Sequence, residues 1–148
     1  LKNEKQAQMA YKQKIIPVVD DVQFQGMRLG EVKLYVKQYF NLHLNGKSVI
    51  NQSKGFSVKF QRNGLKHIIH ARSGGFTKYK AILCMDEMVK YGEYTNFKPE
   101  TTTPSGIIGY LHLKSKVKIE NKIHTFRIIV RMTKEGKFYY DHSIRIRK

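Results

Sequence analysis

The segment from Ile107 onward constrains this chain more than any other. Apolar and polar residues alternate from Ile107 to Ile119 and again from Ile123 to Met132. A period of two is the mark of a strand with one face buried. In the first run Leu111, Leu113, Val117 and Ile119 share one face, and Tyr110, His112, Lys114, Lys116 and Lys118 share the other. In the second, Phe126, Ile128, Val130 and Met132 oppose Thr125, Arg127 and Arg131. Glu120-Asn121-Lys122 and Lys134-Glu135-Gly136 read as turns, and Phe138 to Ile146 as a third strand. The chain therefore ends in an antiparallel meander with one apolar and one cationic side.

An apolar sheet face has to be covered, and helices are the usual cover. Two segments fit. In Glu31 to Phe40, residues Val32, Tyr35, Val36 and Tyr39 follow the i, i+3, i+4, i+7 rule; in Phe76 to Lys90, residues Tyr79, Ile82, Leu83, Met85 and Val89 fall within one broad face, and Gly92 is the stop. Residues 3–14 read as a short polar helix ended before Pro17, and Ile15 to Val19 as a strand or linker. Asn45-Gly46 signals a turn between Leu42-His43-Leu44 and Ser48-Val49-Ile50. Phe56, Val58 and Phe60 alternate in a short strand after Gly55, and Asn63-Gly64 marks a further turn. Ser73-Gly74-Gly75 is a break, and residues 98–106, rich in Thr and Pro, read as a flexible loop. The expected fold is α+β, with N-terminal helices packed on one face of an antiparallel sheet that ends in a C-terminal meander. Residues 1–29 form an N-terminal helix and connector, and residues 30–148 the main body of what is a single globular domain overall. No internal repeat is present.

Charge narrows the partners. Lys and Arg number 28 against 11 Asp and Glu, a net charge of +17. Such a field attracts polyanions and speeds encounter with them. Nucleic acid is the first candidate, an acidic protein the second and an anionic membrane surface the third. No long basic amphipathic helix supports the membrane reading, and no apolar run is long enough to span a bilayer. The plain alternative is a passive basic surface, as in a structural or ribosomal protein. The chain opens at Leu1 with charged and amide residues, without the pattern of a secretory signal.

The single cysteine, Cys84, lies among Ile82, Leu83 and Met85, so it reads as a buried inert thiol rather than a nucleophile. The six His are scattered; His67 and His70 stand three apart, but no metal-ligand spacing is present, and no Gly-rich phosphate loop occurs. No cofactor is expected.

RNA carries its own nucleophile, the 2′-hydroxyl. Cutting it needs a base for that proton, an acid for the leaving 5′-oxygen and cations around the pentacoordinate phosphorus. Such groups occur in three places: Lys66-His67 with Arg72-Ser73, the cationic face of the first two meander strands, and Tyr139-Tyr140-Asp141-His142. Each has a bland counterpart. His67 can simply occupy a turn, His112 a solvated strand, and Ser73 a helix N-cap. Arg127 and Arg131 share a face and suit phosphate. Strict alternation puts Tyr140 and His142 with Phe138, Ile144 and Ile146 in the core, and only a bulge would turn His142 toward the cations.

Asn51, then Gly55-Phe56-Ser57-Val58-Lys59-Phe60, then Gly64-Leu65-Lys66-His67, together with Arg127, Arg131 and the closing Tyr140-Asp141-His142, resemble a barnase/EndoU/colicin/RelE-like nuclease domain. In particular they resemble its phage and polymorphic-toxin branch, the large polyvalent protein-associated domains. The resemblance covers roughly residues 30–148. It implies an α+β fold with helices on one face of a roughly four-stranded antiparallel sheet, metal-independent endoribonuclease chemistry, delivery from one bacterium into the cytoplasm of another, and a cognate immunity protein. On this reading His67 is the general base and His142 the acid, or the reverse. Tyr140 and His112 orient the substrate or stabilise the transition state, and Lys66, Arg72, Ser73, Arg127 and Arg131 hold the RNA phosphate. The substrate is tRNA or rRNA, the immunity protein is acidic, the toxin domain is monomeric, and no membrane insertion is involved. A non-catalytic RNA-binding module is the rival. A deoxyribonuclease, which usually needs metal ligands, is disfavoured by the few, scattered acidic residues.

Overall fold

Among the residues that the computed structural model describes (11–20, 22–61, 75–100, 106–140 and 145–146), eight strands form one mixed sheet. In chain order the elements are β1 (Val18–Val19), α1 (Leu29–Tyr39), β2 (Ser48–Ile50), β3 (Ser57–Lys59), α2 (Gly75–Ala81), α3 (Met85–Tyr91), β4 (Glu93–Pro99), β5 (Ile107–Ile119), β6 (Lys122–Thr133), β7 (Phe138–Tyr140) and β8 (Arg145–Ile146). The class is α+β, as expected, but the sheet is wider than four strands and not purely antiparallel. The main path runs β1-β5-β6-β7-β3-β2; β4 adds to β5 and β8 to β6. The β1–β5 and β3–β7 pairs are parallel.

The long β5–β6 hairpin is the spine, and its alternation is the one read from the sequence. Leu113, Val117, Ile119, Phe126, Ile128 and Val130 are fully buried and Leu111 nearly so. The hairpin closes on Glu120 and Asn121, with φ of 53° and 63°. Two successive residues at positive φ define the type I′ turn that matches strand twist. Lys80 of α2 reaches this tip, its ammonium 2.5 Å from the Glu120 carboxylate. That cation holds the Glu120 carboxyl below the usual range.

The helices cover the apolar face. Val32 and Val36 of α1 are fully buried, and Tyr35 and Tyr39 pack partly against the core. The second helical segment breaks into α2, a 3-10 turn over Ile82–Cys84, and α3. From it Tyr79, Ile82, Met85, Met88 and Val89 are buried and pack with the sheet. Cys84 is buried and its thiol is pushed up by desolvation, in keeping with an inert residue. Gly92 follows α3 and donates its N–H to the Met88 carbonyl at 3.0 Å.

Several local expectations fail, each for a physical reason. Leu42-His43-Leu44 is no strand: Phe40–Leu44 continues α1 as a π-helical turn, with Asn45 N–H donating to Phe40 O at 2.8 Å. Phe40 and Leu44 thereby extend the buried stripe of Val32 and Val36 at intervals of four. Asn45-Gly46 is then not a hairpin turn but a type II turn. Asn45 has φ −58° and ψ 123°, Gly46 has φ 83°, and Lys47 N–H closes on Leu44 O at 2.9 Å. Positive φ at the third turn position is why glycine stands there.

Residues 11–14, expected as the end of a polar helix, are not helical. They run beside the sheet, and the Gln13 amide completes its edge. Its Nε2 donates to Lys116 O at 2.9 Å, and Lys116 N–H donates to its Oε1 at 2.7 Å. On this edge of β5, β4 pairs Gly109 to Lys114 and β1 pairs Lys118 and Ile119, so Gln13 fills the gap between them. The expected loop over 98–106 begins later than read, because Lys98 and Pro99 belong to β4. Likewise the expected third strand is two pieces. Tyr140 faces Val130 and Arg145 faces Arg127, an advance of five residues against three. The Asn63-Gly64 turn, Ser73-Gly74, the helix over residues 3–10 and most of the 98–106 loop lie outside the described residues.

Asn51 ties the α3 end to the β2–β3 hairpin. It is fully buried, donates from Nδ2 to Val89 O at 2.7 Å and to Gly92 O at 2.9 Å, and accepts at Oδ1 from Ser53 Oγ and Lys54 N–H. Asn51→Ala is expected to cost about 3 kcal/mol, because buried groups stripped of their partners cost roughly 1–3 kcal/mol each. Urea denaturation measures it, and a loss below about 1 kcal/mol would contradict this role.

Candidate nucleic-acid interface

The register of the sheet assembles the face away from the helices. Residues opposite each other on adjacent strands stand about 5 Å apart and project to the same side. Lys98 faces Tyr110, Tyr110 faces Arg131, Arg131 faces Tyr139, and Tyr139 faces Lys59. One row across five strands thus alternates cation and phenol. The next row holds Asn96, His112 and Ile129, and the one beyond it Glu93, Lys114 and Arg127. Tyr110, His112, Lys114, Arg127 and Arg131 are all half-buried, so their charged and polar ends gather in a partly desolvated surface.

Contacts within the rows fix the side chains. The Arg131 guanidinium lies over the Tyr139 ring, 5.4 Å from its centroid, a stacking that orients the planar fork. Tyr110 donates its hydroxyl to Glu100 Oε2 at 3.3 Å. Thr95, the extra residue of a bulge in β4, donates to the His112 carbonyl at 3.1 Å. Among the described residues, the Arg127 Nε is buried and has no hydrogen-bond partner. A buried charged donor in that state is costly.

His112 has its pKa lowered, first by burial and then by the Arg127 and Lys98 charges. A lowered pKa means that less of it is protonated at a given pH. Near neutrality it is an uncharged imidazole ringed by cations, which is the state required of a proton acceptor.

Gly109 keeps β4 close. A Cβ there would lie 2.8 Å from the Lys98 carbonyl and run into the Phe97 ring. Gly109→Ala is expected to push β4 away from β5 next to Tyr110 and His112. The amide hydrogens of the β4–β5 ladder should then exchange faster while those of β5–β6 stay protected; unchanged exchange in both would count against this packing.

Of the residues singled out from the sequence, the structure brings His112, Arg127 and Arg131 onto one face. Tyr140 goes elsewhere: it is 2% exposed, on the core side, with its ring 5.6 Å from that of Phe60. Lys66, His67, Arg72, Ser73 and His142 lie outside the described residues. Sequence reasoning named Tyr139 within the Tyr139-Tyr140-Asp141-His142 run but gave it no role on this face, and it missed Glu100, Lys98 and Lys59. Alternation sets Tyr139 opposite in direction to Tyr140; its place beside Arg131, and the other three residues, needed the strand pairings. The remaining His within the described residues stay apart, His43 against Tyr39 and His124 near Phe126. No group of three or more His, Cys, Asp or Glu that could hold a metal occurs among the described residues. No helix among them is long and apolar enough to cross a membrane.

A family model described as large polyvalent protein-associated domain 3 matches residues 28–140. No curated protein and no solved structure gives a significant match.

Proposed function

The chain belongs to the large polyvalent protein-associated domain 3 family, and from that premise we propose that it is a toxin domain that cleaves RNA without a metal ion. The carrying observation is the neutral-leaning His112 set among Arg127, Arg131 and Tyr110 on one half-buried sheet face.

In this reading the scissile phosphate rests against Arg127 and Arg131. The 2′-oxygen attacks phosphorus as its proton passes to a base. The P–O5′ bond breaks, and an acid protonates the leaving 5′-oxygen. The products are a 2′,3′-cyclic phosphate and a 5′-hydroxyl. Two proton-transfer groups are needed. His112 is suited to accept, and His67 and His142 are the further pair proposed from the sequence. Tyr110, a phenol beside Arg131, turns its one O–H from Glu100 to the phosphoryl oxygen when substrate is bound, and the guanidinium charges stabilise the added negative charge. The same reading makes the domain a weapon delivered into a competing bacterium, with an acidic immunity protein covering the cationic face in the producer.

RNA incubated in EDTA should be cut as fast as in magnesium. Loss of cutting in EDTA with recovery on added magnesium would replace this mechanism with a metal-dependent one. A parent protein that binds RNA tightly but never cuts it would leave only a binding module.

A further inference from the structure

We infer that the cationic face takes an extended single strand of nucleic acid, whose phosphates run along β5 into a second anion-binding notch lined by Lys12, Lys114 and Lys116. This rests on the reading of the face as a nucleic-acid site, not on its cutting RNA. The notch holds about 360 Å³ between the 11–14 segment and β5, and Gln13 and Glu93 complete its lining. Three ammonium groups against one carboxylate leave it strongly cationic, and Glu93 is set against Lys114 by the strand register. The notch is built rather than accidental. Gln13 clamps the 11–14 segment onto β5 through both of its amide atoms, and this places the exposed Lys12 across from the exposed Lys116.

Geometry names the ligand. Tyr110, His112, Lys114, Lys116 and Lys118 project from the same side of one strand. Alternate residues of a strand are about 6.8 Å apart, close to the separation of successive phosphates in an extended chain. A flexible single strand can follow this line along a twisted strand, whereas the phosphates of a duplex are held on their own fixed helix and curve away from it within a few nucleotides. The transverse row adds Tyr110 and Tyr139 between the cations Lys98, Arg131 and Lys59. Phenol rings set among cations suit unpaired bases, which can stack, and not paired ones.

Single-stranded DNA is the probe, since it lacks the 2′-hydroxyl and stays intact. Anisotropy should show tighter binding of an oligothymidylate than of a duplex with equal strand length. The double variant Lys12→Ala, Lys116→Ala should weaken the oligothymidylate about tenfold and lower its salt slope by about 1.4, the share of two phosphate contacts on a single strand. Thymidine dinucleotide, whose single phosphate cannot sit at Arg131 and in the notch at once, should lose less affinity in the variant than the oligothymidylate does. Lys37→Ala with Lys90→Ala removes the same charge from exposed helical positions and should leave both ligands nearly unaffected. These binding results would stand even if the protein cut no RNA. Equal or tighter binding of the duplex, equal losses for dinucleotide and oligonucleotide, or an equal loss from the helical double variant would each overturn the inference.

Discussion

Replacing His112 by Ala is expected to slow RNA cleavage about a hundredfold or more, the usual scale for one acid–base group, while RNA affinity changes little. A neutral imidazole adds nothing to the attraction of phosphate, so its loss should show in kcat and not in binding. The pH profile gives a second, independent reading. Burial and the nearby Arg127 and Lys98 lower the His112 pKa, so the acid limb of kcat/KM, which reports the free enzyme, should fall below the ordinary His value of about 6.5. His112→Ala should abolish that limb or move it. His67→Ala, on the sequence reading, should lose a similar factor in rate. A His112→Ala protein that cuts as fast as the parent would remove this residue from the chemistry.

Arg127→Ala and Arg131→Ala should behave in the opposite way. Each removes a charge aimed at phosphate, so each should weaken RNA binding about tenfold and reduce the salt slope by roughly 0.7 for each phosphate no longer neutralised. Arg131→Lys separates charge from shape. The lysine keeps the positive charge but not the planar group stacked on Tyr139, so binding should recover only in part. Filter binding across a salt series measures all three variants. An unchanged slope for both alanine variants would mean that phosphate does not lie on this face.

The parts of the fold legible from sequence were those where one period dominates. β5 and β6 are long and buried on one side only, so their alternation fixed which residues meet the helices and which form the cationic face. His112, Arg127 and Arg131 were found by that rule alone. β4 was not legible: most of it is exposed, it ends in Pro99, and it carries a bulge at Thr95. Such an edge strand has no buried face to impose a pattern. Missing it also hid Lys98 and Glu100. The Asn45-Gly46 pair misled because the same dipeptide serves type I′ and type II turns, and only the helical continuation through Leu44 decides between them. Tyr139 and Tyr140 sit side by side with opposite destinations, one on the cations and one in the core. The resemblance pointed to Tyr140, whereas register puts Tyr139 opposite Arg131.

If this face performs transesterification on RNA, the ends of the fragments carry the record of it. Purified protein is incubated with total tRNA and rRNA in a chelator, and the termini of any fragments are determined chemically. Transesterification should leave 5′-hydroxyl ends paired with 2′,3′-cyclic phosphates. Fragments bearing 5′-phosphate and 3′-hydroxyl ends, or RNA left intact, would contradict it.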